Sequence, residues 1–414
     1  MPYRLLRFAW SKEYPESRMF RAPTALKSEY DVVIIGGGGH GLAAAYYLAK
    51  EHGITNVAVL EKGYLGGGGT GRNTAIVRSN YLTPEGARFY DASLELFQGL
   101  SRELDFNLFY SERGHFTLAH SPSALRTQRW RAETNKHLGI DSEVVSPDFI
   151  KKTVPEIDLT CGGQQAPICG ALFHPPGAVA RHDAVAWAYA RGADSRGVEI
   201  HQQTGVTGID VRDGKVEGVQ TTRGTIKTGQ VLSAVAGWTT HITKMIGLRT
   251  PLVVHPLQAL VTEPLKPWLN HIIVSASLHC YLSQSSRGEL VAGASLDPYE
   301  LISQRSTLDF AESIGGHMLD LFPCLGRINV MRQWAGLCDM TPDFSPIMGT
   351  TPIEGFYVDA GWGTWGFKAT PISGYTMAHT IAHEQEHDLI RSFALDRFRQ
   401  FRLVGEKGAA SVGH

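Results

Sequence analysis

The chain lacks three things that would each assign it to a class: regularly spaced cysteines, a long apolar run, and an excess of charge of either sign. Its 5 cysteines, Cys161, Cys169, Cys280, Cys324 and Cys338, are odd in number, widely scattered and without a C-x-x-C pair. That excludes a disulfide framework and a zinc ribbon, and leaves reduced thiols in a cytosol as the expectation. No stretch is apolar enough to cross a bilayer, and the opening MPYRLLRFAWSKEYPESRMF interleaves charges and prolines where a secretory signal needs an apolar core. The expected location is therefore cytoplasmic, with no membrane partner. Lys and Arg number 39 against 40 Asp and Glu, with no basic block, so no nucleic-acid footprint is present. What remains is a chain of 414 residues, 43% apolar, long enough for two or three domains. Glycine is in excess, 45 residues or about 11% against a background of ~7%, and its clustering carries the argument.

Residues 1–30 have no sustained periodicity and are expected to form an arm on a surface. A β-branched run, Tyr30-Asp-Val-Val-Ile-Ile35, precedes the glycine cluster 36–41, the helical stretch 42–53 and a second strand over 56–63, which together read as a βαβ unit. A second cluster, YLGGGGTGRNTAIVRSNY (64–81), follows directly. Helical patterns cover roughly 84–105, 121–138 and 181–197. A β-meander with turns at Asp213-Gly214 and Arg223-Gly224 spans 198–238, strands and a helix alternate over 250–335, and a strand at 355–361 leads to a third glycine-rich loop, WGTWGFKATP (362–371), and a helix. The fold class is α/β: a Rossmann-like dinucleotide-binding domain interleaved with a mixed-sheet substrate-binding domain. The expected boundaries are an N-terminal arm at 1–29, dinucleotide-binding segments at 30–110, 165–238 and 336–390, substrate-domain segments at 111–164 and 239–335, and a C-terminal tail at 391–414.

The sharpest motif is Gly36-x-Gly38-x-x-Gly41 with Glu61 at the end of the second strand. Gly36 permits the tight turn, Gly38 lets the backbone approach a pyrophosphate, Gly41 allows close helix–strand packing, and Glu61 accepts hydrogen bonds from a ribose. NAD and FAD share this fingerprint. The glycines from Gly66 on, with Thr70, Arg72, Asn73 and Thr74, make a loop of free N–H groups and hydroxyls that follows an extended ligand toward a second ring system. The third loop, Gly361-Trp-Gly363-Thr-Trp-Gly366-Phe-Lys368, precedes a helix, so its positive end and the Lys368 ammonium face the N1–C2=O edge of a reduced flavin. Three such loops favour FAD. One competing motif, His383-Glu384-Gln385-Glu386-His387, has the H-E-x-x-H form of zinc proteases, but Glu386 and Asp388 make it a charged, exposed last turn, and no metal is expected.

With these residues the chain resembles the D-amino-acid-oxidase-type FAD oxidoreductase superfamily over nearly all of 30–390, and is most similar to the β subunits of heterotetrameric sarcosine oxidases. The likeness is carried by IIGGGGHGLAAAYYLA, GGGGTGRNTAIVRSNY, HPPGAVARHDAVAWAYAR (174–191) and DAGWGTWGFKATP. It implies oxidative demethylation of sarcosine, with dimethylglycine or another secondary amino acid as the alternative. It also implies a non-covalent FAD and an FMN tethered through His174, with the FMN at a subunit boundary and electrons passing on to O2 to give hydrogen peroxide. The one-carbon unit goes to tetrahydrofolate on a partner subunit or is released as formaldehyde, and the partners are the α, γ and δ subunits. Further cofactor contacts are implied at Gly39, His40, Lys62, Gly69, Thr70, Asn73, Thr74, Ile76, Val206, Gly363 and Gly366. Chemically, a neutral imidazole held on the stiff Pro175-Pro176-Gly177 turn suits a bond to a flavin methyl carbon. Arg181 either pairs with the FMN phosphate, caps a helix or makes a salt bridge. Arg78 and Lys368 match the positions that hold the substrate carboxylate in monomeric relatives, with surface salt bridging as the alternative. Those relatives attach FAD through a cysteine in a segment resembling WAGLCDMTPD (334–343); alignment on its T-x-D ending puts Gly336 there and leaves Cys338 an ordinary buried thiol.

Overall fold

The protein is described by a computed structural model covering residues 10–11, 19–23, 25–163 and 167–406. Most of the proposed arm at 1–29 lies outside these residues, as do 407–414 of the tail. Within 25–29, Lys27 pairs with Glu199 at 2.8 Å and Glu29 bridges to Lys227.

A six-stranded sheet runs in the order Ile347–Thr350, Phe356–Ala360, Val231–Ser233, Val32–Ile35, Val57–Leu60, Glu199–His201. All pairings are parallel except the terminal hairpin of Ile347–Thr350 with Phe356–Ala360. Val32 to Ile35 are all buried, as a β-branched strand covered on both faces must be. One face carries the helices Gly39–Glu51, His182–Asp194 and Thr370–His383, whose small side chains Ala43, Ala44, Ala190 and Ala378 share a core with Val32 and Ile34. The other face carries the antiparallel meander Val206–Arg212, Lys215–Thr221, Gly224–Lys227 instead of helices, with Val33, Ile35, Ala58 and Leu60 packed on Ile209, Val216, Val219 and Ile226. The 198–238 stretch read as one meander thus divides, its outer strands joining the parallel sheet and its middle three lying across it.

An eight-stranded mixed sheet forms the second layer, in the order Val330–Met340, Val253–Pro264, Glu289–Leu296, Cys280–Gln284, Ile272–Ser275, His115–Ala119, Gly170–His174, Glu143–Val145. The helix Leu308–Leu321 buries Phe310, Ile314 and Leu321 against Phe116, Ile273 and Leu282 of this sheet. Gly170–His174 lies across the boundary expected from sequence, and Val330–Met340 straddles one, its 336–340 half falling in the segment assigned to the other domain: both are ladder strands of this sheet, paired with His115–Ala119 and Val253–Pro264. Pairing partners far along the chain decide that, and no local pattern carries them. The helices Pro84–Glu103 and Pro122–His137 start where Thr83 and Ser121 accept the N–H groups of Gly86 and Ala124, each with proline in the first turn. The segment after 391 is not a loose tail. Phe393 and Val404 are buried, Arg397 forks onto Asp343 at 2.8 and 3.0 Å, and Glu406 takes the backbone N–H groups of Leu82 and Thr83.

Candidate active site

Between the two sheets lies a cavity of about 520 Å³ that all three glycine loops line, a volume in the range of cofactor and ligand sites. Gly36 turns the chain at the end of its strand with φ +114°, and a Cβ there would sit 2.4 Å from the Ala234 carbonyl oxygen, so only glycine fits. Gly41 does not line the cavity; it lets the helix approach the strand, a Cβ at Gly41 falling 2.1 Å from the Gly36 carbonyl. Gly38 lines the cavity, and Gly39 N–H donates to Thr70 Oγ1 at 2.9 Å, joining the first loop to the second. Glu61 accepts from Gly37 N–H at 3.0 Å and Gly63 N–H at 2.7 Å. An ionised carboxylate has about four acceptor positions, so capacity for a ribose remains. A Cβ at Gly68 or Gly69 would meet nothing, which makes that stretch an open cradle. His40, Lys62, Asn73, Thr74, Ile76, Val206, Gly363 and Gly366 also line the cavity, and the Lys62 ammonium lies 3.2 Å from the Trp238 ring centre. These features fit an extended dinucleotide, with Gly36–Gly39 for its pyrophosphate and Glu61 for its ribose.

Arg78 and Lys368 meet in the same cavity, 4% and 7% exposed, so neither is a surface salt-bridging residue. Arg78 follows the short strand Ile76–Val77, and its guanidinium donates to the Asn80 side-chain oxygen at 2.8 Å and stacks over Tyr81. Lys368 rides a single tight turn, Phe367–Ala369, with Nζ 3.4 Å from the Thr364 carbonyl. Burial, then the nearby Arg78 charge, holds its ammonium well below the ordinary lysine range. An incoming carboxylate would restore that charge.

His174 ends the strand Gly170–His174, directly opposite His115, which lines the cavity. The resemblance implies a tethered flavin at a subunit boundary; within this chain His174 is 0% exposed, enclosed by its sheet neighbours and by the segments around Ser79 and Asp141. Its Nδ1–H donates to the Asp141 carbonyl at 2.6 Å and its Nε2 accepts from Ser79 N–H at 3.3 Å. Burial pushes its pKa down to about 3, so the ring is neutral with its lone pair on Nε2. Arg181 forks onto Asp183 at 2.8 Å through both Nε and Nη2, the salt bridge left open as one of its alternatives.

Cys338 is buried, and burial pushes its thiol pKa far up; Gly336 occupies the aligned position and lines the cavity. The H-E-x-x-H helix ends at His383, because Glu384 is left-handed at φ +52°, and His387 is not on the next turn. Among the described residues no group of three His, Cys, Asp or Glu could hold a metal ion, and no helix is long and apolar enough to cross a membrane. Sequence reading missed Asp359 and Asp339. Asp359 accepts the Trp362 indole N–H, the Ser373 hydroxyl and His40, while Asp339 accepts from Gly361 N–H at 2.6 Å. Burial raises the Asp339 pKa to about 6. The only signal for Asp359 was its place near the end of a strand that leads into the third glycine loop, and Asp339 carried none.

Residues 31–380 match the family described as FAD dependent oxidoreductase. The chain is 47% identical over 403 residues to the sarcosine oxidase subunit beta of Arthrobacter sp, covering 97% of this chain and 98% of that protein. It is 45% identical to the protein of the same name from Rhizobium meliloti, over 92% and 91% of the two chains. Among solved structures, L-proline dehydrogenase from P. horikoshii superposes with a TM-score of 0.86 at 26% identity, over 92% of this chain and 100% of that one.

Proposed function

The chain belongs to the FAD dependent oxidoreductase family, and from that premise we propose that it is the β subunit of a sarcosine oxidase, demethylating sarcosine to glycine in the cavity between its two sheets. The observation that carries this reading is the meeting of two buried cations, Arg78 and Lys368, with the three glycine loops in one cavity. A small N-methyl amino acid brings a carboxylate of opposite sign to those cations, and fixing that carboxylate aims the N-methyl group. Gly36–Gly39, Glu61 and the two later loops would hold FAD without a covalent bond, and FAD, when bound, would supply the acceptor for a hydride equivalent from the N-methyl carbon. Arg78 keeps its orientation through Asn80 and Tyr81. Lys368 gains its full charge as the carboxylate docks, and the walls of the cavity keep bulk water from the clamp. The methylene imine goes to tetrahydrofolate on a partner subunit or hydrolyses to formaldehyde, and the electrons end on O2 as hydrogen peroxide.

The finer part of the proposal is a second flavin, FMN, bonded to His174 and approached by the α, γ and δ partners. Its support is a neutral imidazole whose Nε2 lone pair is held by the 3.3 Å contact from Ser79 N–H, and a set of buried polar atoms nearby in the fold without hydrogen-bond partners, Asn80 Nδ2, His115 Nδ1 and Thr117 Oγ1. Because His174 is enclosed, attachment requires the Ser79 or Asp141 wall to open, and a phosphate contact from Arg181 requires it to leave Asp183. The test is the visible spectrum of the purified complex before and after anaerobic sarcosine: bleaching of the flavin band is expected, and bleaching only by dimethylglycine would move the substrate. Intact mass should show one flavin-sized adduct, lost in His174→Ala while sarcosine still bleaches FAD. No adduct on the wild-type chain removes the tether.

A further inference from the structure

His40, the second residue of the Gly39–Glu51 helix, reaches from the first glycine turn to the third. Its Nδ1 lies 3.1 and 3.2 Å from the two oxygens of Asp359, and its Nε2 lies 2.7 Å from the Gly366 carbonyl oxygen. Both partners only accept. Asp359 already receives the Trp362 indole N–H on one oxygen and the Ser373 hydroxyl, at 2.6 Å, on the other, so both of its oxygens act as acceptors, and a backbone carbonyl has no proton to give. A neutral imidazole has one N–H and would leave one of these contacts as two facing lone pairs; an imidazolium makes both. The same Gly366 carbonyl accepts Ala369 N–H at 3.0 Å, closing the turn that carries Lys368, whose own carbonyl is held by Ser93 Oγ at 2.6 Å. A cation at the start of a helix sits at the wrong end of the dipole, and Asp359 offsets that.

We propose that His40 is a positioning residue, a charged latch whose imidazolium bridges Asp359 and the Gly366 carbonyl and so holds Lys368 in the register that aims it into the cavity. The proposal rests on the carboxylate clamp above. Asp359 and Asp339 face the ring, the Trp362 edge packs on it at 4.6 Å, and Lys368 lies two residues beyond its carbonyl partner. Burial works against the charged form, yet Asp359 and the two hydrogen bonds hold the pKa above the ordinary histidine value. The latch is therefore closed below that raised value and opens as pH rises through it.

The test uses flavin-loaded protein and propionate, a carboxylate without an amine, titrated by the change it makes in the visible flavin spectrum. Compared at equal FAD occupancy, His40→Gln is expected to bind propionate roughly tenfold more weakly than wild type at about pH 6.5, and the gap is expected to be narrower at about pH 9, toward the side on which the wild-type latch opens. Asp359→Asn, which leaves His40 without its counter-charge, should move the wild-type loss of affinity to lower pH. A gap that is absent, or equal at both pH values, overturns the latch. So does an unshifted profile in Asp359→Asn, which decides the matter if His40→Gln fails to fold. If the wild-type protein binds no propionate, the clamp itself has failed, and the latch with it.

Discussion

The nucleotide end of the cavity and its cation end are built on different physics. Around Gly36, Gly38, Gly41 and Glu61 the protein presents backbone: a turn only glycine can make, N–H groups, and one carboxylate bound to two of them. Around Arg78, Lys368 and His174 it presents ionisable side chains driven into a dry environment. Lys368 is held well below its ordinary range, burial and then Arg78 push Arg131 down to about 9, and burial pushes His174 to about 3. Buried charge is costly to hold, and a ligand of opposite sign offsets part of that cost. The first region is thus set by backbone conformation, and the second responds to the charge of what binds there.

That difference is broken most severely by substitution at Gly36. Gly36→Val puts a side chain at φ +114° and 2.4 Å from a carbonyl oxygen, which exceeds the ~4–5 kcal/mol reached by severe single substitutions. Soluble folded protein should be lost, as read by circular dichroism. Gly38→Val sharpens the point. Gly38 has extended backbone, and its Cβ would meet only Thr70 Oγ1, at 3.2 Å. Its melting temperature as apoprotein should match wild type, while FAD retained on gel filtration falls at least about tenfold. Equal damage from both substitutions would mean that the turn and the pyrophosphate seat are one feature.

The same contrast explains what the sequence made legible. The glycine turn, Glu61 and the strand–helix–strand unit could be read because a local conformational requirement writes itself as local spacing. Lys368 stood out beside the third glycine loop, but its pairing with Arg78 on a carboxylate came from resemblance alone, since nothing in R-S-N-Y or G-F-K says that two cations 290 positions apart meet in one cavity. The enclosure of His174 was not legible because strand pairing with His115 is a long-range fact, and Asp359 was passed over because a single aspartate at a strand end has no pattern until His40, Trp362 and Ser373 converge on it.

Removing charge from the cation end should have opposite effects on binding and on folding. A charge-assisted contact is worth ~1.5–3 kcal/mol, so Arg78→Met or Lys368→Met should weaken sarcosine roughly ten- to hundredfold in anaerobic titrations. Lys368→Met should nevertheless raise the melting temperature without ligand, because a buried ammonium with only the Thr364 carbonyl at 3.4 Å is replaced by an apolar chain of similar length. Unchanged titrations in both variants would take these residues out of the site. A drop in melting temperature for Lys368→Met would show that the ammonium is satisfied without a ligand.

The smallest effect separates the two histidines by the sign of their pH dependence. His174 has a native pKa of about 3 against ~6.5 unfolded, so below that unfolded value the unfolded chain takes up a proton the native ring refuses. Stability is whole above it and falls with acid, by at most about 1.4 kcal/mol per pH unit. His40 has a raised native pKa, so its contribution is whole below the unfolded value and is lost as pH rises through the native one. In urea unfolding of protein whose mass shows no flavin on His174, wild type should lose stability relative to His174→Gln between about pH 6.5 and about pH 4.5, by about 2–3 kcal/mol. Its advantage over His40→Gln should instead shrink from about pH 6.5 to about pH 9. Two differences bending the same way would mean that both histidines sit in one electrostatic environment, and that the cavity has no distinct nucleotide and cation ends.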